Sequence, residues 1–319
     1  MTYSSGNTIV DDDYNIFATG NAAGTGDQSV ANINSIIGQG SNEFGYGQGT
    51  EITAVAAGAV VQATDWATLL TRNTTLANHQ GTTITSITNP STGDTISAYA
   101  ALSANVTATF NGKLNAAGSG SDITRTTSTT TSWNTSAVLT QTVTFPSRAQ
   151  LRYFFNAGGM IRCSWSRSGG TTSDQNTSWT NTLTAAGTIA LTSDGASKTI
   201  AGTSYTGITK IGGSGTNQIL LTTNGIYDIS STPTIQFKQI PPTGYGDNEI
   251  EYYMSIPNDG TVLTIKTDLS DDYTPPDPGS PDLVDGTLTQ TLVVRPPSTT
   301  YLSDSWGTPV ISSNSWVQS

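Results

Sequence analysis

Over the first eighty or so residues, apolar side chains recur at helical intervals. "DDDYNIFATGNAA" offers Asp11, Asp12 and Asp13 as cap and dipole partners, sets Tyr14 and Phe17 three apart and runs into a glycine, which predicts a short amphipathic helix. "DQSVANINSIIGQG" repeats the pattern and predicts a second helix, with Asp27 as cap, Val30, Ile33 and Ile36/Ile37 along one face and Gly38 as stop. After the turn-rich "NEFGYGQG", a third is predicted in "TDWATLLTRNTTLANHQG", which starts at a Thr64 cap, spaces Trp66, Leu69, Leu70 and Leu76 on one face and closes on Gly81. Residues 1–81 therefore read as a helical N-terminal anchoring module built around a "GYGQ" loop, one that packs on a neighbouring chain.

From Thr82 to Thr131 the 3.6-residue period disappears. Thr- and Ala-rich weak strands, divided by the turns "NPSTGD" and "NAAGSGSD", predict a meander or linker. Alternation returns in "SAVLTQTVTFP", where Leu139, Gln141, Val143 and Phe145 oppose Val138, Thr140, Thr142 and Thr144 until Pro146 ends the strand. "SRAQLRYFF" then allows a turn or helical turn, "NAGG" tolerates positive φ, and "MIRCSWSR" alternates Ile161, Cys163 and Trp165 against Met160, Arg162 and Ser164. This stretch reads as a β-corner in which Tyr153, Phe154 and Phe155, with Gly158 and Gly159, make a buried aromatic wedge. "DQNTSWTNTLTAAG", with Trp179 and Leu183 four apart, predicts a helix leading into "TIALTS", so that 82–194 forms a mixed β domain.

Beyond Gly195 turn signals punctuate strand-like runs, "QILLT", "TIQFKQI", "EIEYYMSI" and "TVLTIKTDL", which predict a β-sandwich-like region over 195–270. "SDDYTPPDPGSPDLVDG", with Pro275, Pro276, Pro278 and Pro281, reads as an extended connector that cannot pair. "TLTQTLVVRPP" adds a strand, and an aromatic tail that docks on a partner completes 271–319. The expected class is mainly β, with a small helical N-terminal module and a β-sandwich-like C-terminal region.

Composition changes this picture in four ways. Only 11% of the 319 residues are charged and 34% are hydrophobic, so neutral hydroxyls and amides carry the polarity. Aromatic content of 8%, with β-branched residues throughout, sets the chain apart from disordered sequences. A net charge of −11 with only 12 Lys and Arg argues against nucleic acid as a partner and favours solubility while copies await assembly. A single cysteine excludes an intramolecular disulfide framework. The stretch "MTYSSGNTIVDDDYN" lacks the basic and apolar regions of a secretion signal, and no segment approaches the roughly 18 apolar residues of a membrane span, so neither classical secretion nor membrane insertion is expected.

Candidate chemistry is sparse. His79 and Cys163 stand alone and far apart, without the spacing of a metal site; Cys163 shares a face with Ile161 and Trp165 and reads as a small core hydrophobe, and His79 reads as a capping or packing residue. Asp11 to Asp13 and the pair Asp271/Asp272 read as solvated faces or helix partners, ahead of calcium ligands or glycosidase carboxylates, because no D-x-D-x-D-G loop is present. A Ser-His-Asp triad could use only His79, and no G-x-S-x-G elbow accompanies any serine. The glycine clusters lack the G-K-[ST] of a phosphate loop and are turns. Trp66, Trp133, Trp165, Trp179, Trp306 and Trp316 are core or interface residues, or else a stacking platform for sugar. No catalytic, cofactor or metal residue is assigned; the structural and interface candidates are Trp66, Tyr153, Phe154, Phe155, Gly158, Gly159, Trp165 and Trp179.

The order of motifs adds a resemblance. "DYN", "GYGQG", "W..LL" and "HQGTTIT", then "LRYFFNAGGMIRCSWSRSGG", "QNTSWTNTL..AGTI" and "DDYTPPDPGSPDLVDGTLTQTL", together resemble virion structural proteins of tailed marine bacteriophages, especially contractile-tailed phages of cyanobacteria. The resemblance spans most of the chain and implies a non-enzymatic, tail-fibre-like particle component with no catalytic residues to carry over. It implies localisation in the virion, in a tail, baseplate, neck, collar or capsid-decorating position. The expected partners are further copies of the chain, three or six around a symmetry axis, other virion proteins, and host surface glycan. A glycan-binding recognition module and a polysaccharide-degrading enzyme are the alternatives, the first predicting tryptophans exposed along a groove and the second paired acids in a cleft.

Overall fold

The computed structural model describes residues 11–91, 99–257, 260–272 and 283–319. The connector expected around Pro275–Pro281 falls on residues 273–282 and lies outside them.

Among the described residues four helices precede the first strand: α1 (Asp11–Thr19), α2 (Asn34–Ile37), α3 (Ala63–Gln80) and α4 (Tyr99–Asn111). α1 buries Tyr14 and Phe17 as predicted, with the Tyr14 ring edge-on to Trp66 of α3 at 5.4 Å. The second predicted helix shrinks to one turn. Asp27 accepts from the amide and hydroxyl of Ser29, and Asn32 Oδ1 accepts from the Ser35 amide, so side chains close local turns where a longer helix was expected. Val30 is consequently exposed, whereas Ile33, Ile36 and Ile37 are buried. α3 begins earlier than its expected Thr64 cap: the Gln62 amide donates to Asp65 Oδ2 at 2.8 Å in a capping-box arrangement. It ends as predicted on Gly81, in the left-handed region at φ +71°. α4 was not expected; it occupies part of the predicted meander and buries Leu102, Asn105, Val106 and Thr109 against α3, where Thr109 Oγ1 donates to Asn73 Oδ1 at 2.8 Å.

The β elements are antiparallel throughout. β1 (Ile123–Thr129), β2 (Ser136–Thr144), helix α5 (Arg148–Asn156), β3 (Met160–Ser168), helix α6 (Asp174–Ala186) and β4 (Thr188–Leu191) are followed by a hairpin of β5 (Ser197–Ile200) and β6 (Thr203–Thr206). Then come β7 (Ile208–Ile211), β8 (Asn217–Leu220), β9 (Thr234–Gln239), β10 (Asn248–Ser255), β11 (Val262–Asp271), β12 (Thr287–Arg295), β13 (Val310–Ser313) and β14 (Val317–Gln318). One sheet has the order β1-β12-β3-β4-β7; the other has β13-β2-β11-β10-β9-β8, with β14 also on β2. The molecule is thus mainly β, with a helical N-terminal module and a β-sandwich. Both sheets draw strands from several of the sequence segments, since β12 lies between β1 and β3, and β2 lies against β11.

Alternation dictates the layers. On β2, β11 and β12 every second residue is buried, so Leu139, Ile265 and Leu292 point inward while Thr140, Thr264 and Thr289 point out. Polar residues that this pattern sends inward are paired: Trp165 Nε1 donates to Thr267 Oγ1 at 3.1 Å and Gln290 Oε1 at 3.0 Å, and Gln290 Nε2 donates to Gln141 Oε1 at 2.7 Å. One hydrophobic core runs from Tyr14 through both sheets to Trp316. A satellite cluster of Ala116, Met160, Ala190, Ile200 and Tyr205 seats the β5–β6 hairpin on one end of the first sheet.

Candidate functional site

α5 turns the densest stretch of the sequence into a joint between the helical module and the sandwich. It starts because Ser147 Oγ accepts from the Gln150 amide at 3.2 Å, and it stops at Gly158, which has a φ of +94° and where a Cβ would stand 2.4 Å from the Ala116 Cβ. A helix therefore replaces the expected β-corner, with the aromatic wedge retained on its buried face. Phe154 and Phe155 are fully buried and pack edge-on at 5.1 Å, and Phe154 packs edge-on to Phe145 at the end of β2 at 5.2 Å. Gly159 lies against the Phe154 ring, 2.5 Å from where its Cβ would stand.

The other side chains of the same helix grip the segment 39–47, which leads into the "GYGQ" loop. Arg152 donates to the carbonyls of Gly40 at 2.7 Å and Gln39 at 2.9 Å, and Asn156 Nδ2 donates to those of Asn42 at 2.9 Å and Gly45 at 3.1 Å. Tyr153 lies flat against Gly47, whose Cβ would stand 2.3 Å from the ring. The loop also reaches the C-terminal segment, where Gln48 exchanges two hydrogen bonds with Ser303, each 2.9 Å long. Tyr227, from the 3-10 turn Ile226–Asp228, completes the joint by donating to Asn156 Oδ1 at 2.6 Å. Burial raises its phenol above the ordinary tyrosine range.

Beside this joint lies a cleft of about 780 Å³ between α5, loop 41–44, the 226–231 segment and residues 256–257 and 260. Leu151, Ile226, Ile229 and Ile256 supply apolar surface to its lining, and Arg148 and Arg152 alternate with Glu43, Asp194 and Asp228. Two of the acids hold local structure: Asp194 Oδ1 accepts from Lys198, and Asp228 Oδ2 accepts from the Gly225 amide at 2.8 Å.

The sequence candidates separate into four places. Tyr153, Phe154, Phe155, Gly158 and Gly159 meet at the joint. Trp66 is in the helical module, and Trp165 is between the sheets, stacked on Phe237 at 6.3 Å and edge-on to Tyr252 at 5.3 Å. Trp179 closes the far end of the sandwich with Trp133, at 4.8 Å. All six tryptophans are buried, which removes the exposed tryptophan platform expected of a sugar-binding groove. Asp271 is in part a correction: expected on a solvated face or as a helix partner, it is buried and accepts from two residues of α6, Trp179 Nε1 at 3.2 Å and Gln175 Nε2 at 2.5 Å.

His79 and Cys163 are both held in the core. His79 Nε2 lies 3.0 Å from the Ala157 carbonyl, and burial lowers its pKa to about 4, so the ring is neutral at pH 7. Cys163 is fully buried, and desolvation pushes its thiol far above the ordinary range, which keeps it un-ionised and unreactive. Among the described residues no group of three or more His, Cys, Asp or Glu side chains is placed to hold a metal ion, and no helix is long and apolar enough to cross a membrane. Sequence reasoning missed Arg152, Asn156 and Tyr227, whose partners are 71 or more residues away and leave no local signal. No protein-family profile, curated protein or solved structure matches this chain.

Proposed function

We propose that the chain is a non-enzymatic structural protein of a bacteriophage virion, a tail, baseplate or neck appendage component that acts through assembly of several copies and contact with other virion proteins. The observation that carries this reading is the outer face of the first sheet. Across the strands, Thr126 stands opposite Thr291, Thr291 opposite Ser164, and Ser164 opposite Thr188; the next row runs Ser128, Thr289, Ser166. Ser128 and Thr289 hydroxyls are 2.9 Å apart. These two rows are uncharged on a chain of net charge −11, so two copies meet there without the repulsion that opposes contact elsewhere. Hydroxyl contacts of this kind are also insensitive to the high salt that screens surface ion pairs.

The helical module supports the same reading, because its gripped loop and shared core hold it in a fixed position on the sandwich, as an anchoring element requires. Antibodies raised against the purified chain test the proposal on tailed particles from a lysate carrying this gene. Decoration of a tail or neck position in electron micrographs is the expected result. Recovery of the chain only in the soluble fraction, with bare particles, contradicts it.

A further inference from the structure

We propose that the loop 54–61 is the docking plug of the helical module, and that its partner is an apolar groove rimmed by lysine or arginine on a protein other than this chain. The inference deepens the anchoring role proposed above and rests on that reading for its place in the particle.

The loop, "AVAAGAVV", is the longest run in the chain without a polar side chain. Such a run belongs in a core, yet Ala56, Ala57, Gly58, Ala59 and Val60 are exposed, and Val60, at 76%, is the most exposed large hydrophobic residue among the described ones. Its stems are fixed. Val55 exchanges hydrogen bonds of 2.8 and 2.9 Å with the Asn15 side chain, and Ile52 exchanges two of 2.7 and 2.8 Å with that of Asn34. Val55 and Val61 pack partly against the core, and the Ala59 amide closes the turn by donating to the Ala56 carbonyl at 2.9 Å. The tip is therefore held out by its own stems, which lowers the ordering cost of binding.

Charge selects the partner. Residues 1–71 contain seven acids and none of the chain's 12 Lys and Arg. Asp11 Oδ2 accepts from the Gly58 amide at 3.2 Å, which brings this charge to the loop itself, and Glu51 and Asp65 stand three and four residues from its ends. Among the described residues only Glu43 of the seven forms a salt bridge, with Lys113 at 3.8 Å. A second copy, itself of net charge −11, would bring further negative charge against these acids. An anionic membrane is opposed for the same reason, and the loop has none of the Trp, Tyr, Lys or Arg that anchor at a lipid interface. A protein surface that is apolar at its centre, to take the small side chains of the tip, and basic at its rim meets both conditions.

The test uses the full chain carrying Val60→p-benzoylphenylalanine, a photocrosslinker, irradiated in the whole lysate in which the particles assemble. The expected result is a crosslink to one protein other than this chain, in an apolar peptide bordered by Lys or Arg. That protein, once purified, is expected to bind the full chain more weakly as salt rises. Val60→Asp should lower the affinity by about tenfold or more, since burying a valine is worth roughly that, whereas Val317→Asp, exposed on the sandwich, makes the same charge change and leaves the affinity unaltered. Vesicles of phosphatidylcholine, alone and with phosphatidylglycerol, should not retain the chain. Crosslinks only to another copy, a joined surface without basic residues, retention by either vesicle, equal losses from the two aspartate variants, or no crosslink at all would each overturn the inference. Because the whole lysate is read, a basic-rimmed partner found alongside bare particles would sink the virion reading and leave this inference standing, and decorated particles without the crosslink would do the reverse.

Discussion

Removing the Phe154 ring tests the joint directly. Phe154 has no exposed surface and makes edge-on contacts with both Phe145 and Phe155, at 5.2 and 5.1 Å. Phe-to-Ala changes in cores cost ~3–5 kcal/mol, and each lost aromatic pair is worth ~0.5–1.5 kcal/mol beyond area, so Phe154→Ala belongs in the upper half of that range, about 4–5 kcal/mol. Collapse of the surroundings is restricted, because the Gly159 amide is tied to the Phe154 carbonyl by a 2.8 Å hydrogen bond. At roughly 2 °C per kcal/mol for a chain of this size, the melting temperature falls by about 8–10 °C. The urea midpoint falls by about 1–1.7 M if the slope is near 3–4 kcal/mol/M. Phe154→Leu keeps an apolar side chain but loses both aromatic pairs, so it is expected to cost roughly 1–3 kcal/mol, less than alanine, and serves as the control. Calorimetry and urea titration followed by tryptophan fluorescence measure both variants. An alanine variant that melts with the native chain would show that the wedge is not what holds module and sandwich together.

Three further outcomes follow from the same geometry. Gly47→Ala places a methyl 2.3 Å from the Tyr153 ring at a φ of +67°, and is expected to cost roughly 2–4 kcal/mol; adding Tyr153→Ala should recover the steric part, so a strictly additive double mutant would contradict the contact. His79, the chain's single histidine, is held neutral with its pKa lowered to about 4 from an ordinary value near 6.5. Between those values the unfolded chain binds the proton and the folded chain does not, so stability is full above pH 6.5 and falls by about 3 kcal/mol as the pH drops to 4. His79→Gln should flatten the slope in that window, and an unchanged slope in urea titrations across it would refute the assignment. Cys163, buried with its thiol pKa raised, should react with iodoacetamide only at the rate of global unfolding; prompt labelling of the native chain would place the thiol at the surface.

How far the sequence was legible depended on whether the partners of each residue were local. β2, β3, β11 and β12 could be read because strict alternation sorts inward from outward residues without reference to anything distant. α4 was missed for a different reason: Leu102, Val106 and Phe110 do stand four apart, but Asn105 and Thr109 share their buried face, satisfied by Thr85 and Asn73 on another part of the chain, and the stripe was lost in the Thr- and Ala-rich stretch around it. α5 was half legible. Its Ser147 cap with Gln150 three residues on is a local helix signal, but the Gly158-Gly159 pair after it favoured a corner. Asp271 misled because an acid beside another acid reads as solvated, whereas Gln175 and Trp179 that bury it lie 92 or more residues away. The cleft follows the same rule, since its walls come from five separated segments.

Sedimentation velocity of the purified chain in seawater-strength salt tests the central claim, that the molecule acts by contact between copies. The account predicts a single closed oligomer, of three or six chains, that persists at micromolar concentration and loosens when Thr289 and Thr291 on the outer hydroxyl rows are both changed to lysine. A monomer at every concentration, unaffected by those lysines, would contradict it.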